Sequence, residues 1–243
     1  NPTEPTKGSD MKVEKLRSNI WKMYVISALS SFVLYYAIDK IFMQIRGLSV
    51  TEIVLVEILY TLVVLLLEVP TGALADRWSR KKVLALHLVF FMLNTLLWVV
   101  AHNITLFILG VVAGAVHSAL YSGTFSALLY DTAKQIDQEK NYGKFIGNYF
   151  FIGGIFAAIS AILGGMIANY YGITIPFWVT LIVSFVALIF TLTLEEPEIH
   201  RTTGEVKYWD HIADTFKYLW RHPSLYHSIF LAVALTVTLR LLD

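Results

Sequence analysis

The chain has 243 residues, of which 56% are hydrophobic and only 15% charged, with a net charge of +1 and a positive mean hydropathy. A soluble domain carries about 25% charged residues, so this balance excludes an ordinary water-soluble globule. Cysteine is absent, which removes disulfides and thiolate metal sites from consideration.

The opening NPTEPTKGSD is polar and Pro-containing and lacks an initial Met. Residues 1–18 are expected to form a disordered tail, with 1–10 read either as native or, in preference, as a cloning remnant ahead of Met11. In the bilayer core every backbone polar group must bond internally, so predominantly apolar blocks of about 20 residues read as spanning helices. Seven such blocks follow, at 19–43, 51–75, 83–101, 105–130, 145–170, 174–194 and 223–242. The first is too long for the apolar core of a signal peptide, and no small-residue cleavage site follows it. Six spans joined by the short loops GLSV, HNI and YYG make one unit, 19–194. A long polar stretch, 195–222, comes next. In it Val206, Trp209, Ile212, Ala213, Phe216, Leu219 and Trp220 recur at helical spacing, predicting an amphipathic linker helix on the cytoplasmic membrane surface or against protein. One further span, 223–243, then looks like the start of a truncated second half.

Placing the N-terminus in the cytoplasm puts sixteen of the nineteen basic residues on the inner side, leaving Lys40, Arg46 and Arg240 outside. The small net charge therefore hides a steep asymmetry across the membrane. Basic clusters of this kind set topology and are not nucleic-acid patches. The expected fold is an all-α, multi-pass membrane protein, in the plasma (inner) membrane.

Ionisable residues inside spans are costly in lipid and mark functional candidates. Asp39 and Lys40 end the first span. Lys40 is expected to snorkel to the outer interface, and Asp39 is a candidate acid for cation capture or gating. Glu57 and Glu68, eleven residues apart, fall on nearly one face of the second span. Glu68 precedes Pro70, whose freed carbonyl and local bend offer a polar niche. A carboxyl group desolvated there can carry a proton near neutral pH; the competing reading is a neutral acid hydrogen-bonded to a neighbouring helix. His117 lies midway along the fourth span with Tyr121 one turn later, suited to substrate binding or proton relay, or to hydrogen-bonded packing. No second His or carboxylate stands at i+3 or i+4, so no metal site is expected, and no cofactor. Gly110, Gly114, Ser118, Ser122 and Ser126 form a small-residue stripe for close helix packing. Tyr35, Tyr36, Tyr60 and Tyr121 lie deep in spans and suit a broad, largely apolar pocket, to which Asn148 and Tyr149 of the fifth span add polar groups.

Between the second and third spans the chain reads GALADRWSRKKVL. This resembles the cytoplasmic signature of the major facilitator superfamily, G-x-L-x-D-R-x-G-R-K/R, with Gly72, Leu74, Asp76, Arg77, Arg80 and Lys81 matching and Ser79 in place of a glycine. The resemblance implies the N-terminal six-helix half of a transporter that works by alternating access. It also implies that this turn, with Asp131 expected to pair with Arg80, belongs to a network latching the two halves on the cytoplasmic side. Gly72 admits a close neighbour helix, and Asp76 can cap a helix or pair with a cation. The partner helix for Gly72 and Asp76 is expected in a second transporter half. SAILGG in the fifth span is similar to the end of an exporter signature, with Ser160 and Ala161 where glycine and proline are usual.

The expected activity is proton-coupled export of lipophilic small molecules, with the bilayer, a small-molecule substrate and protons as partners. The alternatives are a proton-coupled importer of a sugar or amino acid and a non-transporting membrane scaffold. No catalytic spacing or phosphate-binding loop points to an enzyme.

Overall fold

The computed structural model describes residues 7–198 and Leu231. The chain divides into two compact units, Asn1–Glu198 and Ile199–Asp243, and the architecture below is that of the first. The amphipathic linker helix expected beyond Glu198 and the seventh span lie outside the described residues.

Among the described residues regular structure is entirely helical: α1 (Lys7–Ser31), α2 (Asp39–Ile45), α3 (Val50–Arg77), α4 (Arg80–Val99), α5 (Ile104–Tyr121), α6 (Thr124–Gln135), α7 (Tyr142–Tyr171) and α8 (Ile175–Leu192). A single 3-10 turn, Glu139–Asn141, leads into α7. Among the described residues five segments are long and apolar enough to cross a membrane: Val50–Glu68, Arg80–Val99, Ile104–Gln135, Glu139–Tyr171 and Ile175–Leu192. They coincide with the second to sixth expected spans. Local chemistry sets several starts. Ser49 and Glu52 form a capping box on α3, and the Asn103 side chain accepts from Leu106 N–H at the head of α5.

The first span departs from expectation. Helix α1 begins at Lys7, inside the stretch read as a tail, and stops at Ser31; helix resumes only at Asp39. No Pro or Gly lies between them, so tertiary contacts and not propensity make the break. Tyr35 stacks on Phe177 at 4.4 Å with an interplanar angle of 2°, and its hydroxyl meets Thr95 Oγ1 at 3.1 Å. The Leu34 N–H freed by the break donates to Thr180 Oγ1 of α8 (3.1 Å). The Leu34 carbonyl lies where any Cβ on Gly164 would sit; α7 can cross this break only because residue 164 has no side chain.

The fourth span is also broken, at Ser122 and Gly123, where Gly123 takes φ +76° and helix resumes as α6 at Thr124. Part of the small-residue stripe packs as expected. A side chain on Gly110 would meet the Trp98 indole, and one on Gly114 would meet Asn94, whose Nδ2 donates to Gly110 O (2.9 Å). Pro70, by contrast, leaves α3 continuous, with the Thr71 hydroxyl between Leu67 O (2.8 Å) and Ala119 O (2.9 Å) of α5. Two cores result. One, around Tyr35, Phe42, Trp98, Phe107 and Phe177, fills the end away from the basic turn. The other, around Met23, Phe125, Leu128, Leu129 and Tyr149, fills the basic end.

Candidate functional site

Three polar clusters interrupt these cores. The first is the basic turn. Trp78 caps α3, and Ser79, the residue that departs from the family glycine, is the N-cap of α4, its hydroxyl accepting from Lys82 N–H (3.3 Å). The same hydroxyl donates to Glu196 Oε2 (2.7 Å). Glu196 also accepts the Arg80 N–H (2.7 Å) and the Lys81 N–H (2.9 Å), so a carboxylate from the segment after α8 closes the positive end of α4. Around it, Asn19 exchanges two hydrogen bonds with the Glu195 backbone (2.8 and 2.9 Å), and Lys22 reaches Thr193 O (2.8 Å).

Arg80 and Asp131 come together as the sequence leads one to expect. The guanidinium donates to the Asp131 carboxylate and to Ala127 O (2.7 Å), with only 13% of the Arg80 and 20% of the Asp131 side chain exposed. Both partners belong to the first unit, so this pair braces the turn onto α6 within that unit. Gly72 is exposed, with nothing within 4 Å of an added Cβ. Asp76 and Arg77 lie in the last turn of α3, but their side chains fall outside the described residues. Lys81 is half-buried.

The second cluster lies at the opposite end. Asp39 and Glu57 are both buried, and Lys40 Nζ bridges them, 3.1 Å from Asp39 Oδ2 and 3.3 Å from Glu57 Oε1. Lys40 therefore turns inward, against the expectation that it snorkels outward, because two carboxylates outbid the interface for its charge. Glu57 and Glu68 share a helix face by register yet differ in setting. Glu68 is exposed, its carboxylate 3.3 Å from the Ser122 hydroxyl beside the fourth-span break.

The third cluster joins α4, α5 and α7. His87 Nδ1 and His117 Nδ1 stand 3.0 Å apart, their rings stacked at 4.7 Å. The Tyr121 ring lies 5.1 Å from His87, and its hydroxyl bonds the Tyr149 hydroxyl. The Ser27 hydroxyl of α1 donates to Tyr149 O (2.7 Å). His117, Tyr121 and Tyr149 are thus brought together. Asn148 is exposed, near the Tyr24 hydroxyl (3.5 Å); Tyr36 is exposed and Tyr60 half-buried. Tyr35, expected to line a pocket, is buried in the core.

Sequence reading missed His87 and Glu196. The rule that singled out His117, an ionisable side chain within an apolar span, applies equally to His87. Glu196 carries no local signal, since its partners lie more than a hundred residues away.

Comparison with known proteins agrees with this architecture. The family model of the Major Facilitator Superfamily matches residues 20–241. An uncharacterized transporter of Buchnera aphidicola subsp. Acyrthosiphon pisum is 26% identical over 167 residues, 69% of this chain and 41% of that protein. The match thus spans less than half of the relative's length. With the match covering nearly all of the chain, this protein belongs to the major facilitator superfamily and is a multi-pass membrane protein.

Proposed function

We propose that the chain forms one half of a secondary transporter that works by alternating access in the plasma membrane, exchanging protons for lipophilic, cationic small molecules. The observation that carries this reading is the Asp39, Lys40 and Glu57 cluster. Two buried carboxylates share one ammonium, and carboxylates gathered at one point inside a membrane protein favour positive partners. A proton bound by one of them, or the cationic group of a substrate, would each serve as such a partner. Competition of the two for one site is the simplest coupling device for exchange, because loading one releases the other.

At the basic end, the Arg80–Asp131 pair holds the turn in place, and Gly72 and Asp76 meet a second transporter half. Glu68, exposed on α3 beside Ser122, serves as a second proton carrier at that boundary. The apolar faces of α3 and α7, with Leu62, Leu66, Phe150 and Phe151 exposed, supply the hydrophobic surroundings a lipophilic substrate needs.

The test is substrate-driven proton movement in proteoliposomes holding a complete transporter and a pH-sensitive dye. A lipophilic cation should drive proton flux, and Asp39→Asn or Glu57→Gln should abolish it. Undiminished flux in both variants removes the proton role. Flux driven by a sugar or amino acid but not by lipophilic cations replaces export with uptake of polar metabolites.

A further inference from the structure

The basic end holds a pair of ionisable groups that the carboxylate reading leaves without a role. His87 is buried, with 3% of its surface exposed, and belongs to α4; His117 belongs to α5. The heavy-atom contacts assign where their protons lie. His117 Nδ1 is 3.0 Å from the backbone oxygen of His87, which can only accept, so this nitrogen carries the hydrogen. His87 Nδ1, 3.0 Å from the same nitrogen, must then be the bare acceptor, with the His87 proton on Nε2.

From this arrangement we propose that His87 and His117 form a store for one proton between α4 and α5, separate from the carboxylate cluster. A first added proton goes to His117 Nε2. That leaves both Nδ1 contacts in place and strengthens them, because the donor is now an imidazolium. A second added proton has only His87 Nδ1 to occupy. There it sets N–H against N–H at 3.0 Å and places two positive charges on rings 4.7 Å apart, so the pair must separate. One proton tightens the contact between α4 and α5; two break it.

The surroundings bear on this balance. Tyr121 of α5 faces His87, and through it Tyr149 of α7. Phe91 of α4 lies 4.8 Å from His117, and α6 contributes Phe125, stacked on Tyr121. Among the described side chains of α3, the ionisable group in this region is Glu68, which meets Ser122. From α6 it is Asp131, already paired with Arg80. From α1 and α8, Met23, Ile26 and Phe190 in the adjoining core are apolar, and Tyr24 is there with them. A neutral hydroxyl pair is thus the immediate polar neighbour. Tyr121 is also the last residue of α5, next to the Ser122–Gly123 break, so the store sits where a change in the contact between α4 and α5 adjoins the interruption of the fourth span.

The proposal is tested on the whole chain labelled with 15N-histidine in lipid nanodiscs, by ring-nitrogen NMR across about pH 4 to 8, with His87→Gln and His117→Gln used only to assign signals. The neutral pair should show His117 protonated at Nδ1 and His87 at Nε2. Both rings should shift together as one proton binds, and the second proton should bind about a hundredfold more weakly or worse. In His87→Gln, His117 should titrate alone in a single step. Two proton steps within tenfold of each other in the wild-type protein, or a His117 proton on Nε2 of the neutral pair, would overturn it. The wild-type titration decides the matter even if a variant fails to fold.

Discussion

Neutralising Asp131 tests whether the Arg80 pair is a brace or a surface ornament. An exposed ion pair is worth about 0 to 1 kcal/mol, whereas removing one partner of a buried pair costs about 3 to 5 kcal/mol. With 13% and 20% of the two side chains exposed, the pair stands nearer the buried limit. At an effective dielectric constant of about 20 the contact attraction is roughly 4 kcal/mol before desolvation is subtracted. A coupling of about 2 kcal/mol follows, near thirtyfold in an equilibrium constant. Asp131→Asn leaves the guanidinium with Ala127 O, and Arg80 Nε is already buried without a partner among the described residues, so little compensation is at hand. The assay is a double-mutant cycle of Arg80→Gln, Asp131→Asn and both, with stability measured by detergent-induced unfolding of the purified protein. The double variant should lose about 2 kcal/mol less than the two single losses added together. Losses that add to within about 0.5 kcal/mol would show that the two groups do not act as a pair.

Two further substitutions probe the contacts that position the clusters. Gly164→Ala drives a methyl group into the Leu34 carbonyl; a backbone atom cannot rotate away, so a loss of about 1 to 3 kcal/mol is expected in the same unfolding assay, and wild-type stability would refute the close approach of α7 to the first-span break. Glu196→Gln keeps the shape of the cap on α4 but removes the charge that accepts from Ser79, Arg80 and Lys81; a loss of about 1 to 2 kcal/mol is expected, reduced by salt, and a loss insensitive to salt would show that charge is not what holds the segment after α8.

The second to sixth spans were legible because lipid imposes a simple rule, and predominantly apolar blocks of about 20 residues have few other uses. Arg80 and Asp131 were legible too, as opposite charges at the same membrane side with family spacing to guide them. The breaks were not. Residues 32–38 contain no Pro or Gly, and what stops α1 is the seating of Tyr35 against Phe177 and Thr95, a three-dimensional event. At the fourth span the local signal was present, since Ser-Gly is a turn dipeptide, but the periodicity of the small-residue stripe absorbed it. Lys40 was misjudged for a similar reason. Snorkelling is the right default for a lone lysine near an interface, and only the fold brings Glu57 of α3 to it.

The two broken spans and the charged clusters fall into a common pattern. At the end away from the basic turn, the gap between α1 and α2 places Asp39 at the first turn of α2, where it shares Lys40 with Glu57. At the basic end, the Ser122–Gly123 break sets Ser122 against Glu68 and starts α6, which carries Asp131 to Arg80. Interrupting a helix in a membrane frees backbone groups, and this is tolerated only where protein takes them up. Thr180 does so for Leu34 N–H at the first break, and Thr71 bonds Ala119 O just ahead of the second. A continuous helix transmits motion along its whole length, whereas a broken one lets each end respond to its own cluster. One break therefore lies beside each charged cluster, where a change of charge meets a helix that is already interrupted.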